Sequence, residues 1–244
     1  IDEGDAWCAG AFGLSPVVDE HQAALVRRSD MLISVGLDPV ELRPHWLPGW
    51  PADLPMISIN SSPDIAHPVL HAVRGSSADI LKALADHSEG YCSDWNRAEI
   101  AEHNDRWRAP FEDGPCGPAT TIRAVQRGMG SDAICSMDVG AHRITASHVW
   151  HCTAPLQQVQ SNGFSSMGTG LPGAIAAKLT HPSRPVVALT GDMGLWMTLG
   201  ELGVVQERKM DLVVVYLADQ SLSLIALKQE RIGLPTHGVG FENP

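Results

Sequence analysis

The sequence predicts an α/β fold built on parallel strands and divided into two successive parts. Three observations carry this. Short runs rich in apolar and β-branched residues (Met56–Asn60, Pro185–Thr190, Leu212–Ala218) are continuous rather than alternating, as in strands covered on both faces. Segments with helical spacing separate them. Glycine-rich turns stand between strand and helix, most clearly Gly191-Asp192-Met193-Gly194.

Taken in order, residues 18–28 have helical spacing, and Met31–Gly36 is an apolar run closed by glycine. Residues 39–55 are rich in Pro and Trp and should be irregular. Met56–Asn60 is a second strand, and Ser77–His87 a helix that begins with a serine suited to capping. Residues 1–87 therefore form one partial α/β domain. Residues 88–117, with Gly, Pro, Asp and Asn and little periodicity, read as a connector holding a short helix at Arg97–Trp107. The second domain, 118–244, starts with a helix at Pro118–Arg127 that has Pro in first position. Then come a strand at Ala133–Val139, a helix at Ile144–Trp150, a short strand at Leu156–Gln160 and a small-residue helix at Gly168–Leu179. Strand Pro185–Thr190, helix Leu195–Arg208 and strand Leu212–Ala218 complete the series.

Composition narrows the function. The chain has 244 residues, 44 % apolar and 18 % charged, an ordinary globular mix that excludes a disordered or fibrous chain. Its net charge of −11, with no basic cluster, argues against nucleic acid and anionic membranes as partners. No apolar run approaches the roughly 20 residues of a spanning helix. The acidic opening Ile-Asp-Glu-Gly-Asp is unlike a signal peptide. Five scattered cysteines without a C-x-x-C pair read as free thiols, which points to the cytoplasm. The chain opens at Ile1 and closes on Gly-Val-Gly-Phe-Glu-Asn-Pro, so the expectation is an internal piece of a longer protein; a processed or separately encoded subunit is the alternative.

Two glycine-rich stretches carry the chemistry: Ser165-Ser166-Met167-Gly168-Thr169-Gly170-Leu171-Pro172-Gly173 and Gly191-Asp192-Met193-Gly194. A turn of this kind between strand and helix aims backbone amides at a phosphate. Asp192 lies at the carboxyl end of its strand, where open α/β sheets bind ligands. A carboxylate beside a phosphate needs a divalent cation between them, and Mg²⁺ commonly bridges the two. Asp219, 27 residues on and just past the next strand, offers a second oxygen ligand.

These residues resemble the fingerprint of thiamine diphosphate enzymes, GDG followed by NN, in the acetolactate synthase-like group. Four stretches carry the resemblance: Met137–His142, Ser161–Pro172, Val186–Asp192 and Leu217–Ser221. It is strong over 118–244 and weaker over 1–87, which resembles the end of the family's central domain; the amino-terminal pyrimidine-binding domain is not in this chain. The resemblance implies thiamine diphosphate and Mg²⁺ as cofactors, and 2-keto acid decarboxylation or carboligation as the chemistry. Asp192 and Asp219 would bind Mg²⁺ through their side chains and Ser221 through its carbonyl. Ala141, His142, Met193 and Gly194, with Gly191 in the same turn, would hold the diphosphate. Met167 would be the apolar support under the bent cofactor, with Ser165 and Gly168 beside the aminopyrimidine. The sequence departs from the family at Met193 (second Gly of GDG), Asp219 (usually Asn) and Ala141 (usually Gln). The glutamate that activates the pyrimidine matches no residue here. The isolated chain is therefore expected to be inactive without a pyrimidine-binding domain, supplied within a homo-oligomer of the parent protein or by a partner chain. FAD is left open. A 2-keto acid decarboxylase of other specificity and a non-catalytic cofactor-binding chain are the alternatives.

Other patterns carry less. Gly168-x-Gly170-x-x-Gly173 formally matches a dinucleotide fingerprint, but no apolar strand directly precedes it. His142, His148, His151 and Cys152 fit no common zinc spacing, so helix packing is the expectation. Trp46, Trp50, Trp95 and Trp107 could line an interface, and ordinary packing of a Pro-rich connector explains them equally well.

Overall fold

The computed structural model describes residues 2–37, 53–61 and 70–242. Most of the Pro- and Trp-rich stretch, with Trp46 and Trp50, lies outside the described residues. The fold is α/β. Its contacts separate into two units, one formed by Ala9–Trp107 and the other by the chain from Arg108 onward together with the first eight residues.

The first unit holds a three-stranded parallel sheet, β1 (Leu32–Val35), β2 (Met56–Asn60) and β3 (His71–Arg74), in that order. Helix α1 (Pro16–Val26) precedes the sheet and α2 (Ser77–His87) follows it. The Ser76 side chain caps α2 by accepting from the Asp79 amide at 3.4 Å. Helix α3 (Arg97–Arg108) packs on α1 through buried polar side chains. His103 Nε2 lies 3.2 Å from both the Gln22 amide oxygen and the Ala9 carbonyl, and Gln22 donates to the same carbonyl at 2.8 Å. Trp107 is buried against Gly10, and Trp95 lies under the Arg28 guanidinium, 4.7 Å from the ring centroid.

In the second unit, β4 (Ile134–Met137), β5 (Gln158–Gln160), β6 (Val186–Gly191) and β7 (Val213–Leu217) form a parallel sheet in the order β5-β4-β6-β7. Helices α4 (Pro118–Met129) and α5 (Ala141–Val149) cover one face, where Ile122, Ala146 and Trp150 meet Cys135, Met137, Val187 and Leu189. Helix α6 (Gly170–Thr180) covers the other, laying Ala174 and Ala177 on Ile134, Val186 and Ala188. Alternate residues of β4 and β6 thus enter two different cores, which is why these strands read as unbroken apolar runs. Helix α4 is capped from a distance: the Asp113 carboxylate accepts the Ala119 and Thr120 amides at 2.6 and 3.1 Å.

Three elements differ from expectation. The single helix expected at Leu195–Arg208 is broken into α7 (Asp192–Met197), a 3-10 turn at Leu199–Glu201 and α8 (Leu202–Glu207). Two glycines within four residues, Gly200 and Gly203, weaken helix continuity there. Strand β3 was not expected, because His71–Arg74 is exposed throughout and shows no apolar pattern. Helix α9 (Ser223–Arg231) was not expected either; it buries no residue.

His148 lies inside the second unit, its ring 5.4 Å from that of Phe111. Burial lowers its pKa to about 4. The folded state therefore binds fewer protons than the unfolded chain between about pH 4 and about pH 6.5. The stability this provides is complete above the unfolded value and is lost as pH falls through that window. Denaturant unfolding should show wild type losing about 3 kcal/mol more than His148→Gln across the window. Parallel stability curves would contradict this.

Candidate functional site

The candidate site lies at the carboxyl edge of the second sheet, where three adjacent strands each run out into an aspartate. Asp138 follows β4, Asp192 follows β6 and Asp219 lies two residues beyond β7. The register aligns Met137 with Leu189 and Gly191 with Leu217, so the three acids form a row along one edge.

The Asp192 side chain meets the backbone of Asp219. The Asp192 Oδ2 accepts the backbone N–H of Gln220 at 2.8 Å and of Asp219 at 3.3 Å, while Oδ1 accepts the Met193 amide at 2.8 Å. Asp192 is buried, and these three donors fix its orientation. Asp219 is exposed; its Oδ1 accepts the Ser221 amide at 3.2 Å and its Oδ2 the Ser223 hydroxyl. Gln220, between them, has a left-handed backbone (φ 57°) that turns the chain sharply after β7. Residues 239–241 brace this turn: Leu222 N–H donates to Val239 O at 2.8 Å, Phe241 N–H to Gln220 O at 3.1 Å, and the Phe241 ring leans on Trp196 of α7.

His142 opens α5 beside the same turn. Its ring packs on Gly140 and Gly191, where a side chain on either glycine would meet it at 2.7 and 3.2 Å. Burial holds the imidazole below its usual pKa, while the Asp138 charge and a hydrogen bond to the Asp138 backbone pull the other way. Its Nε2 is buried and has no hydrogen-bond partner among the described residues, which in a finished site calls for an outside group. Ala141, next to it, offers no polar side chain.

Met167 is half-buried in the loop between β5 and α6, ahead of Gly168. Gly168 has φ +80°, and a Cβ there would lie 3.0 Å from the Thr198 methyl group, so glycine suits both the backbone and the space. Ser165 also takes a left-handed backbone (φ 50°); the Arg143 guanidinium approaches its hydroxyl at 3.4 Å and donates to Ser161 O at 2.6 Å. Nine residues separate β5 from α6, so the glycines at 168, 170 and 173 do not follow directly on a strand as a dinucleotide turn would. Of His142, His148, His151 and Cys152, for which packing is the expectation, His148 packs on Phe111 and His151 lies beside Glu3. Among the described residues no group of three or more His, Cys, Asp or Glu side chains is placed to hold a metal.

The sequence singles out no role for Asp138, yet its buried carboxylate accepts four hydrogen bonds. Val139 N and Thr169 N reach Oδ1 at 2.7 and 3.2 Å; Gly168 N and Thr190 Oγ1 reach Oδ2 at 3.1 and 3.2 Å. No sequence pattern flags such a hub, because its partners lie 30 and 52 residues away.

With this geometry in hand, comparison with known proteins is specific. The family "thiamine pyrophosphate enzyme, C-terminal TPP binding domain" matches residues 138–243. Over this region the chain resembles the thiamine diphosphate enzymes of the acetolactate synthase-like group. It is 34 % identical over 153 residues to a pyruvate oxidase of Lactiplantibacillus plantarum, covering 60 % of this chain and 25 % of that protein. It is 32 % identical over 162 residues to acetolactate synthase isozyme 1 large subunit of Escherichia coli, 65 % of this chain and 28 % of the relative. Against the acetolactate synthase large subunit of Haemophilus influenzae, identity is 24 % over 245 residues, covering 96 % of this chain and 42 % of the relative. The chain thus spans between a quarter and about two fifths of the length of these relatives. No helix among the described residues is long and apolar enough to cross a membrane.

The packing at Gly194 makes one expectation concrete. A Cβ on this residue would lie 1.9 Å from Asp138 Oδ2 and 2.8 Å from its Cγ. The four hydrogen bonds keep Asp138 from moving aside. Gly194→Ala should lower unfolding stability by about 2–3 kcal/mol in urea titration. An unchanged midpoint would mean that the carboxylate yields.

Proposed function

We propose that this chain forms the diphosphate- and magnesium-binding part of a thiamine diphosphate enzyme acting on a 2-keto acid. The reaction is decarboxylation or carboligation of the acetolactate synthase type, placing the enzyme among the lyases or transferases. The observation that carries this reading is the meeting of Asp192 with the backbone of Asp219 and Gln220 at neighbouring strand ends. It anchors the turn that carries Asp219 to the Asp192 carboxylate, and Mg²⁺ prefers carboxylate, carbonyl and phosphate oxygens such as those this turn offers.

The residues fit the cofactor. The orphaned His142 Nε2 suits a diphosphate oxygen. Asp192, Asp219 and the Ser221 carbonyl would hold Mg²⁺, with Asp192 oriented in advance by its three backbone donors. The turn Gly191–Gly194 and Ala141 would line the diphosphate, although the Met193 amide is already engaged by Asp192. Met167 would support the bent cofactor, and Gly168 and Ser165 would face its aminopyrimidine. When bound, thiamine diphosphate supplies a nucleophilic carbon for the keto group and an acceptor for the electron pair released with carbon dioxide. This chain's residues bind, bend and orient.

The pyrimidine-activating glutamate is proposed to come from a pyrimidine-binding domain, in a homo-oligomer of the parent protein or on a partner chain. The substrate is a small 2-keto acid, and FAD stays open. The free thiols Cys8, Cys92, Cys116, Cys135 and Cys152 support a cytoplasmic setting. The likeness to a pyruvate oxidase favours a second reading, a 2-keto acid enzyme of other specificity.

Calorimetric titration with thiamine diphosphate, with and without Mg²⁺, tests the assignment. Wild type should bind only with Mg²⁺, and Asp192→Ala and Asp219→Ala should each weaken binding by at least about 10-fold. Asp219 is exposed, so its variant keeps the fold and isolates the ligand role. Equal affinities in all three proteins would remove the metal assignment. Pyruvate turnover by this chain alone would contradict an externally supplied glutamate.

A further inference from the structure

We infer that Asp138 is a positioning residue, setting the spacing between the two halves of the cofactor site; this rests on the function proposed above. One half is the Met167–Gly168 loop, which would face the aminopyrimidine. The other is the Gly191–Gly194 turn, with His142, which would face the diphosphate. A cofactor that spans both needs their separation fixed, and errors of about 1 Å at such distances lower rates and affinities sharply.

The Asp138 carboxylate joins them. From the first half it takes the Gly168 and Thr169 amides, one on each oxygen. Towards the second it meets the hydroxyl of Thr190, the residue just before Gly191, whose single hydrogen is shared between Asp138 Oδ2 at 3.2 Å and the Gly191 carbonyl at 2.9 Å. Gly194 closes against the same oxygen so tightly that no side chain fits between them. The main chain of Asp138 is fixed as well: its N–H donates to Leu189 O at 2.9 Å, and a Cβ at Gly170 would meet its Cβ at 2.8 Å.

The chemistry demands a carboxylate. Three of the four donors are backbone N–H groups, which can only donate. Asparagine has the same shape but turns one oxygen into a donor. Its least unfavourable orientation points the NH₂ at Thr190, whose hydroxyl can rotate to accept, and at the Gly168 N–H, which cannot. Asp138→Asn should therefore keep the sheet and release Gly168, uncoupling the two halves.

Two measurements on the full chain test this. The first is titration of wild type and Asp138→Asn, with Mg²⁺ present, by thiamine diphosphate and separately by inorganic pyrophosphate. Pyrophosphate needs only the second half, whereas thiamine diphosphate needs both. The variant should bind thiamine diphosphate at least about 10-fold more weakly while pyrophosphate affinity changes by less than about 3-fold. The second is amide hydrogen exchange without ligand. Gly168 and Thr169 should exchange faster in the variant, with the amides of β6 still protected. Unchanged thiamine diphosphate affinity would overturn the inference. So would an equal loss of both ligands with faster exchange across β6, which marks a merely structural role. If wild type binds neither ligand with Mg²⁺, the proposed function itself fails and this inference falls with it.

Discussion

The register of β4, β6 and β7 is the constraint on which the site depends. Parallel pairing aligns Met137 with Leu189 and Gly191 with Leu217, so all three strands leave the sheet at one edge. Their cores lock that register from both sides, since Val187 and Leu189 point towards α4 and α5 while Val186 and Ala188 point towards α6. A slip of one residue would exchange the two apolar sets and move every acid off the edge. The position of the chemistry is therefore a consequence of apolar packing well below it.

The three aspartates of that edge differ in how far the protein satisfies them. Asp138 is buried, with both oxygens engaged by the protein's own donors. Asp192 is buried too, but two of its three donors come from the very loop it faces. Asp219 is exposed and held by nearby groups of its own turn. Negative charge at the sheet edge is thus internally compensated at β4 and open to solvent at β7.

Much of this was legible in the sequence because the second sheet obeys local rules. Strand β6 is buried on both faces and reads as one apolar run, and Gly191-Asp192 sits where strand meets helix. The spacing from Asp192 to Asp219 reflects one helical excursion and one strand, so the pair was visible without coordinates. What was hidden obeys no local pattern. Strand β3 is exposed, and α9 buries nothing, so neither carries the periodicity that burial imposes. The broken helix after Met197 follows from Gly200 and Gly203, whose weakening effect an apolar pattern conceals. The role of Asp138 needs donors from residues 139, 168, 169 and 190 at once, and only tertiary structure assembles these.

The pairing of Ser221 with Gly240 gives the region beyond β7 an unusual freedom. The chain leaves the sheet, makes α9, and returns to the same point, so the helix hangs from a closed neck. Closing such a loop depends only weakly on its length. Evolution or design can lengthen, shorten or replace the hanging span, provided the neck itself and the Phe241–Trp196 contact persist. The protein thereby keeps the turn after β7 braced while leaving an exchangeable appendage beside it.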